Sequence, residues 1–196
     1  MNTIIVRKKA DLQYIQTIGP ARIALLGVSG AGKTTLGVRL AKTLNIGYVE
    51  LDSLFLNENW RESDKEEFRK KVGEQLRDKK YYIIDGNYRS ISDLTWDTCT
   101  VFICLDYQKI VIMKRVILRT IGRVITQEEL WNGNRETFKK SFMSRKSIIL
   151  WSWNTYQKRK NDYRDLQEKY KENEDKVIII LKKPKAAKWL INRIKG

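Results

Sequence analysis

Gly27-Val28-Ser29-Gly30-Ala31-Gly32-Lys33-Thr34-Thr35 is the segment whose residue types and spacing most directly imply chemistry. It fits Gly-x-x-x-x-Gly-Lys-Thr, the phosphate-loop (Walker A) pattern. Glycines let successive backbone N–H groups turn inward around an anion. A helix starting there adds partial positive charge. In this pattern Lys33 reaches the β- and γ-phosphates of ATP, and the Thr34 hydroxyl ligates Mg²⁺. Gly27, Ser29, Gly30, Ala31, Gly32 and Thr35 complete the cradle.

Three acids, Asp52, Asp85 and Asp106, close apolar runs. In a doubly wound sheet, ligands bind beyond the carboxyl ends of the strands. Asp85 is therefore expected to hold Mg²⁺ or a metal-bound water. Asp52 is expected to orient or deprotonate an acceptor hydroxyl. Asp106 reads as a cap or turn residue. Asn87 and Arg89, just after Asp85, are candidate acceptor contacts, and Arg89 could fork onto an acceptor phosphate or carboxylate. Trp60, on the loop after Asp52, suits either stacking on a planar acceptor or covering the core.

Arg115, Arg119 and Arg123 recur at i, i+4 and i+8, which aligns them on one helix face. They are expected to close over ATP and neutralise charge on the transferring phosphoryl group. Arg135, in the turn Asn132-Gly133-Asn134-Arg135-Glu136, is a candidate further clamp on the acceptor. Trp151 and Trp153 are two apart, do not share a helix face, and are expected to pack rather than bind.

Positioning these groups requires strands and helices in alternation. Residues 22–27, 47–52, 81–85, 100–106 and 176–181 are near-continuous apolar runs and predict buried strands. Leu36, Leu40 and Leu44 predict a helix after the phosphate loop. Ser63-Asp64-Lys65-Glu66 reads as a capping box with Ser63 as N-cap. Residues 107–123 read as a helix with Ile110, Met113, Ile117 and Ile121 on one apolar face. Residues 124–135 read as a loop, 136–172 as one long helix or two, and 186–195 as a closing helix. The pattern predicts an α/β, three-layer P-loop NTPase fold. It would hold a five-stranded parallel sheet with helices on both faces and a helical lid insertion at about 107–172. Residues 1–21 read as an N-terminal extension, with a short strand at Thr3–Val6 and then a helical stretch, and 22–196 as the domain.

The chain has 196 residues, enough for one domain with an insertion. It has no histidine, which removes Ser-His-Asp and Cys-His catalysis and His-containing zinc sites. Cys99 and Cys104 lie in one apolar stretch and read as buried thiols of a reducing compartment. No apolar run is long enough to span a membrane, no secretory signal is evident, and a cytoplasmic location without a membrane partner is expected. Net charge is +16, and it is uneven. Residues 1–106 hold 16 basic and 14 acidic side chains, and residues 107–196 hold 23 and 9. The basic half suits a polyanion, whether nucleotide phosphates, nucleic acid or an acidic surface, or is a solvated lysine-rich face.

With these pieces placed, the chain resembles the P-loop kinases that include adenylate kinase and shikimate kinase. Asp85-Gly86-Asn87-Tyr88-Arg89 is similar to the Asp-Gly-Phe-Pro-Arg segment of nucleoside monophosphate kinases. Nearer still are the adenylate-kinase-related topology modulation proteins, often labelled P-loop or AAA-type ATPases. The similarity is carried by the phosphate loop, Leu51-Asp52-Ser53-Leu54 with Trp60, Ile84 to Tyr88, Val101 to Asp106 and the arginine-rich lid. It covers about residues 22–194. Asn87-Tyr88 replaces Phe-Pro, so the acceptor-base specificity of adenylate kinase is not implied. The resemblance implies an ATP- and Mg²⁺-dependent phosphotransferase acting on a small molecule or nucleotide. The alternative is a nucleotide-gated nucleic-acid-binding protein with weak ATPase activity. A polynucleotide 5′-kinase would combine the two.

Overall fold

A computed structural model describes residues 3–15, 18–144 and 147–195. Residues 1, 2, 16, 17, 145, 146 and 196 fall in the expected extension, insertion and domain end, and lie outside the described residues.

Six parallel strands form one sheet. They are β1 (Thr3–Val6), β2 (Arg22–Gly27), β3 (Gly47–Glu50), β4 (Tyr82–Asp85), β5 (Val101–Leu105) and β6 (Val177–Leu181), in the order β1-β6-β5-β2-β4-β3. The expected five strands are thus corrected to six. Thr3 lies opposite Ile178 and Val6 opposite Leu181, so the N-terminal segment is part of the sheet. The physical reason is the apolar Val177–Leu181 run, which would otherwise expose a flat row of unpaired backbone groups.

Side chains alternate across β2 because successive Cβ atoms point to opposite faces. Ile23 and Leu25 join one core, built with α1 (Lys33–Leu44), α4 (Lys109–Thr126) and α6 (Pro184–Lys195). Ala24 and Leu26 join the other, with α3 (Lys65–Leu76) and the distal part of α5 (Ile148–Lys169). Helix α5 begins against the first core through Ile148, Ile149 and Tyr156 and ends in the second through Tyr163 and Leu166. It passes the carboxyl end of β5, where the Tyr156 hydroxyl donates to the Tyr107 carbonyl (3.0 Å). Cys99 and Cys104 are buried, unbridged thiols, and burial pushes the Cys99 thiol up to about 12.

Several local expectations shift. Strand β3 stops at Glu50, and Asp52 lies in the first turn of the short helix α2 (Leu51–Phe55). The N-cap of α3 is Asp64, whose carboxylate accepts from the Glu67 N–H (2.8 Å). Ser63 instead turns inward, donating to the Leu54 carbonyl (3.3 Å). Asp64-x-x-Glu67 fits the same capping pattern one residue on, and Ser63 is buried (6% exposed), so the inward bond takes its hydroxyl. Helix α4 runs on to Thr126. Its buried face is Ile112, Met113, Val116 and Thr120, while Ile110, Ile117 and Ile121 face outward. Nor are Trp151 and Trp153 packed inside: both are exposed.

Candidate functional site

Strand β2 lies between β4 and β5, so the chain changes direction across the sheet there. The phosphate loop leaves β2 at this switch point, the usual ligand crevice of an open α/β sheet. Gly30 takes φ +80° and Gly32 φ +94°, and a Cβ on Gly30 would run into Val116 of α4. Only glycine satisfies both the turn and the approach of that helix.

Asp85, at the end of β4, is 2% exposed. Its Oδ2 accepts from the Thr34 hydroxyl (2.9 Å) and the Tyr48 hydroxyl (2.8 Å), and Lys33 Nζ stands 4.0 Å from Oδ1. Burial pushes this carboxyl above its ordinary range, while the charge of Lys33 pulls it back. Glu50, its register partner on β3, also lies against Thr34 (Oε1 to Oγ1, 3.1 Å) and accepts from the Trp131 indole N–H (2.9 Å). Burial raises Glu50 too. The Thr34 hydroxyl has one proton and two carboxylate neighbours. This crowd of hard oxygens is short of protons, and a hard divalent cation matches it.

Sequence reading missed Tyr48, Glu50, Tyr88 and Trp131. The signal for the first two was present. Tyr48 and Glu50 are two apart at the carboxyl end of a strand, hence on one face.

Asp52 Oδ1 accepts from the Tyr88 hydroxyl (2.7 Å), and burial raises the Tyr88 phenol, which keeps it a donor. The Asn87 side chain is turned onto the end of β2. Its carboxamide accepts from the Gly27 N–H (3.1 Å) and donates to the Gly27 carbonyl (2.7 Å). Gly86, at φ +150° with Leu51 Cβ 2.8 Å from where its own Cβ would lie, turns the backbone off the sheet. The Asn87 side chain then continues the ladder that the backbone has left.

The three arginines of α4 divide. Arg115 donates to the Ala31 carbonyl (3.1 Å) and Arg119 to the Ser29 hydroxyl (2.9 Å), both on the phosphate loop. Arg119 Nε is buried without a hydrogen-bond partner. Arg123 instead pairs with Glu136 (3.2 Å). Arg89 is directed away to α5, pairing with Asp162 and Asp165 (both 2.7 Å). Asp106 pairs with Lys182 and Lys160, a structural role.

Two loops with the same turn lie against each other beside α2. Asn57 N donates to Arg61 O, and Leu130 N donates to Asn134 O, both at 2.7 Å. Buried Asn134 joins them, accepting from Trp60 N (2.7 Å) and donating to Asn57 O (2.8 Å). Trp60 and Arg135 both line the polar cavity of about 360 Å³ between these loops. A separate cavity of about 430 Å³ lies between α1 and α6, lined by Arg39, Lys42 and Lys188 and by none of the residues singled out above. Asn134→Ala is expected to cost about 2 kcal/mol, because buried partners are left unsatisfied. Urea denaturation measures that loss, and hydrogen exchange should rise at 57–61 and 130–134 together.

A family model described as an AAA domain matches residues 23–119. No curated protein matches the chain. Among solved structures, a shikimate kinase from Bacteroides thetaiotaomicron is 20% identical with a TM-score of 0.51, covering 89% of this chain and 96% of that one. The chain has the P-loop kinase fold. A gluconokinase from Sinorhizobium meliloti (16% identity, TM-score 0.49, 89% and 91% covered) is also similar. So is a sugar kinase from a Janibacter species (17%, 0.45, 87% and 95%). In this P-loop kinase fold the family match takes in the phosphate loop, the end of β4 and the start of α4. No helix among the described residues is long and apolar enough to cross a membrane.

Proposed function

We propose that this chain is an ATP-dependent kinase that transfers the γ-phosphoryl group to a small-molecule or nucleotide acceptor. The observation that carries the reading is the convergence at the carboxyl ends of β2, β3 and β4. A phosphate loop, a hydroxyl–carboxylate oxygen cluster and the Arg119 guanidinium on Ser29 meet there.

ATP would lie along residues 27–35, with Lys33 on its β- and γ-phosphates. Thr34 and Asp85 would hold Mg²⁺, which would supply positive charge against the phosphates. Arg115 and Arg119 sit on the phosphate loop from α4 and would meet charge that develops during transfer. Asp52 would orient the acceptor and, for an alcohol, take its proton. The Tyr88 hydroxyl fixes one carboxylate oxygen and leaves the other for that task. Trp60 and Arg135, lining the cavity between the two loops, would contact the acceptor's far end. The chemistry is mainly positioning and electrostatics, as phosphoryl transfer demands.

The test is acceptor-dependent ADP release across a panel of alcohols, sugars and nucleotides. Asp52→Asn is expected to lower that release by about a hundredfold and leave nucleotide affinity unchanged. Undiminished transfer in Asp52→Asn would remove Asp52 from the chemistry. ATP turnover that no acceptor stimulates would overturn the kinase reading.

A further inference from the structure

Helix α4 carries three faces, and two are accounted for. Ile112, Met113, Val116 and Thr120 enter the core, and Arg115 and Arg119 meet the phosphate loop. The third is apolar and turned outward: Ile110 is 73% exposed and Ile125 76%, with Ile117, Leu118 and Ile121 exposed between them. At 3.6 residues per turn these five occupy an arc of about 100°. Lys114, also exposed, stands within it.

The neighbouring elements continue this character. Helix α5 packs on α4 and begins with exposed Leu150, Trp151 and Trp153. Lys109 at the start of α4 stands over the Trp153 ring, 3.3 Å from its centroid. Just before α5, Phe138 and Phe142 stack beside exposed Lys139 and Lys140, and Met143 is exposed.

We infer that the outward faces of α4 and the start of α5 form a docking surface for an anionic lipid bilayer. The charge pattern selects the occupant. Residues 107–127 and 137–161 contain no aspartate or glutamate. A second copy placed on this face would bring cation against cation. A surface offering both hydrocarbon and negative charge satisfies both halves of the pattern. Exposed tryptophans and lysines with aliphatic stems suit the headgroup boundary, where one end of the side chain is apolar and the other wet. The absence of a spanning segment, which led to the expectation of no membrane partner, does not bear on a face that lies along the surface.

The experiment is flotation of the full chain with vesicles of phosphatidylcholine alone and of equimolar phosphatidylcholine and phosphatidylglycerol. Binding is expected only to the anionic vesicles. The double variant Ile110→Ser/Leu118→Ser is expected to bind about tenfold more weakly, since it removes apolar surface. Its melting temperature should be unchanged, because both positions are exposed. Lys33→Ala should float like the unaltered chain, which separates this inference from the proposed activity. Failure of the unaltered chain to float with anionic vesicles would overturn it. Equal binding by the serine variant would do the same, reducing the contact to charge alone. A dimer in sedimentation equilibrium that the serine variant dissolves, with no vesicle binding, would assign the face to a second copy.

Discussion

Lys33→Ala is expected to reduce phosphoryl transfer by about a thousandfold, the effect of removing a preorganised cation from developing phosphate charge. Nucleotide affinity should fall with it, measurable by calorimetry with a non-hydrolysable ATP analogue. The structure states why no neighbour compensates. Lys33 Nζ is the cation nearest Asp85 in the buried cluster, at 4.0 Å. Arg115 and Arg119 reach the loop from α4, through the Ala31 carbonyl and the Ser29 hydroxyl, and neither is paired with Asp85. A Lys33→Arg variant should recover little, because a planar fork does not replace a compact ammonium in a loop of this size. Wild-type transfer in Lys33→Ala would mean that the phosphate loop does not bind the donor.

The second large effect is on stability. Asn87→Ala should destabilise the fold by about 3 kcal/mol, since two buried backbone groups of Gly27 lose their partner at once. Gly27 closes β2, and β4 has ended at Asp85, so the carboxamide is the last rung on that side of the sheet. Urea denaturation should show the midpoint falling at constant slope. Asn87→Asp should rescue only part of the loss. A carboxylate still accepts from the Gly27 N–H, but it cannot donate to the carbonyl and repels it. Equal stability of all three forms would show that the ladder needs no such rung.

The sheet was legible because its strands are largely apolar runs of four to six residues, with Gly27, Asp85 and Asp106 closing β2, β4 and β5. The phosphate loop was legible because its glycines have a backbone reason. Other parts were not, for identifiable reasons. Helix α4 is apolar over two arcs, and periodicity alone selected Ile110, Ile117 and Ile121, the wrong one. Asn87 looked like a substrate contact because sequence places it after Asp85. Nothing local shows that Gly86 turns the backbone away and leaves the side chain in its stead. Arg89 looked like an acceptor clamp, and only the passage of α5 past the sheet's end reveals Asp162 and Asp165 as its partners. Trp131 lies far along the chain from Glu50, so their bond required the tertiary fold.

The pairing of β1 with β6 has a consequence for how the chain acquires its structure. The ribosome makes residues 3–6 well before residues 177–181, yet the two strands lie side by side. Strand β1 therefore waits until all the intervening strands and helices have been made for the edge it covers. Contacts of such long sequence separation slow folding, because the loop must close before the pairing contributes. Until then Val177–Leu181 presents an open edge, and nascent or refolding chains should be most aggregation-prone at that stage. Removing residues 1–7 should leave the nucleotide site assembled while making that edge permanent. The truncated protein is expected to bind ATP and yet lose solubility with time.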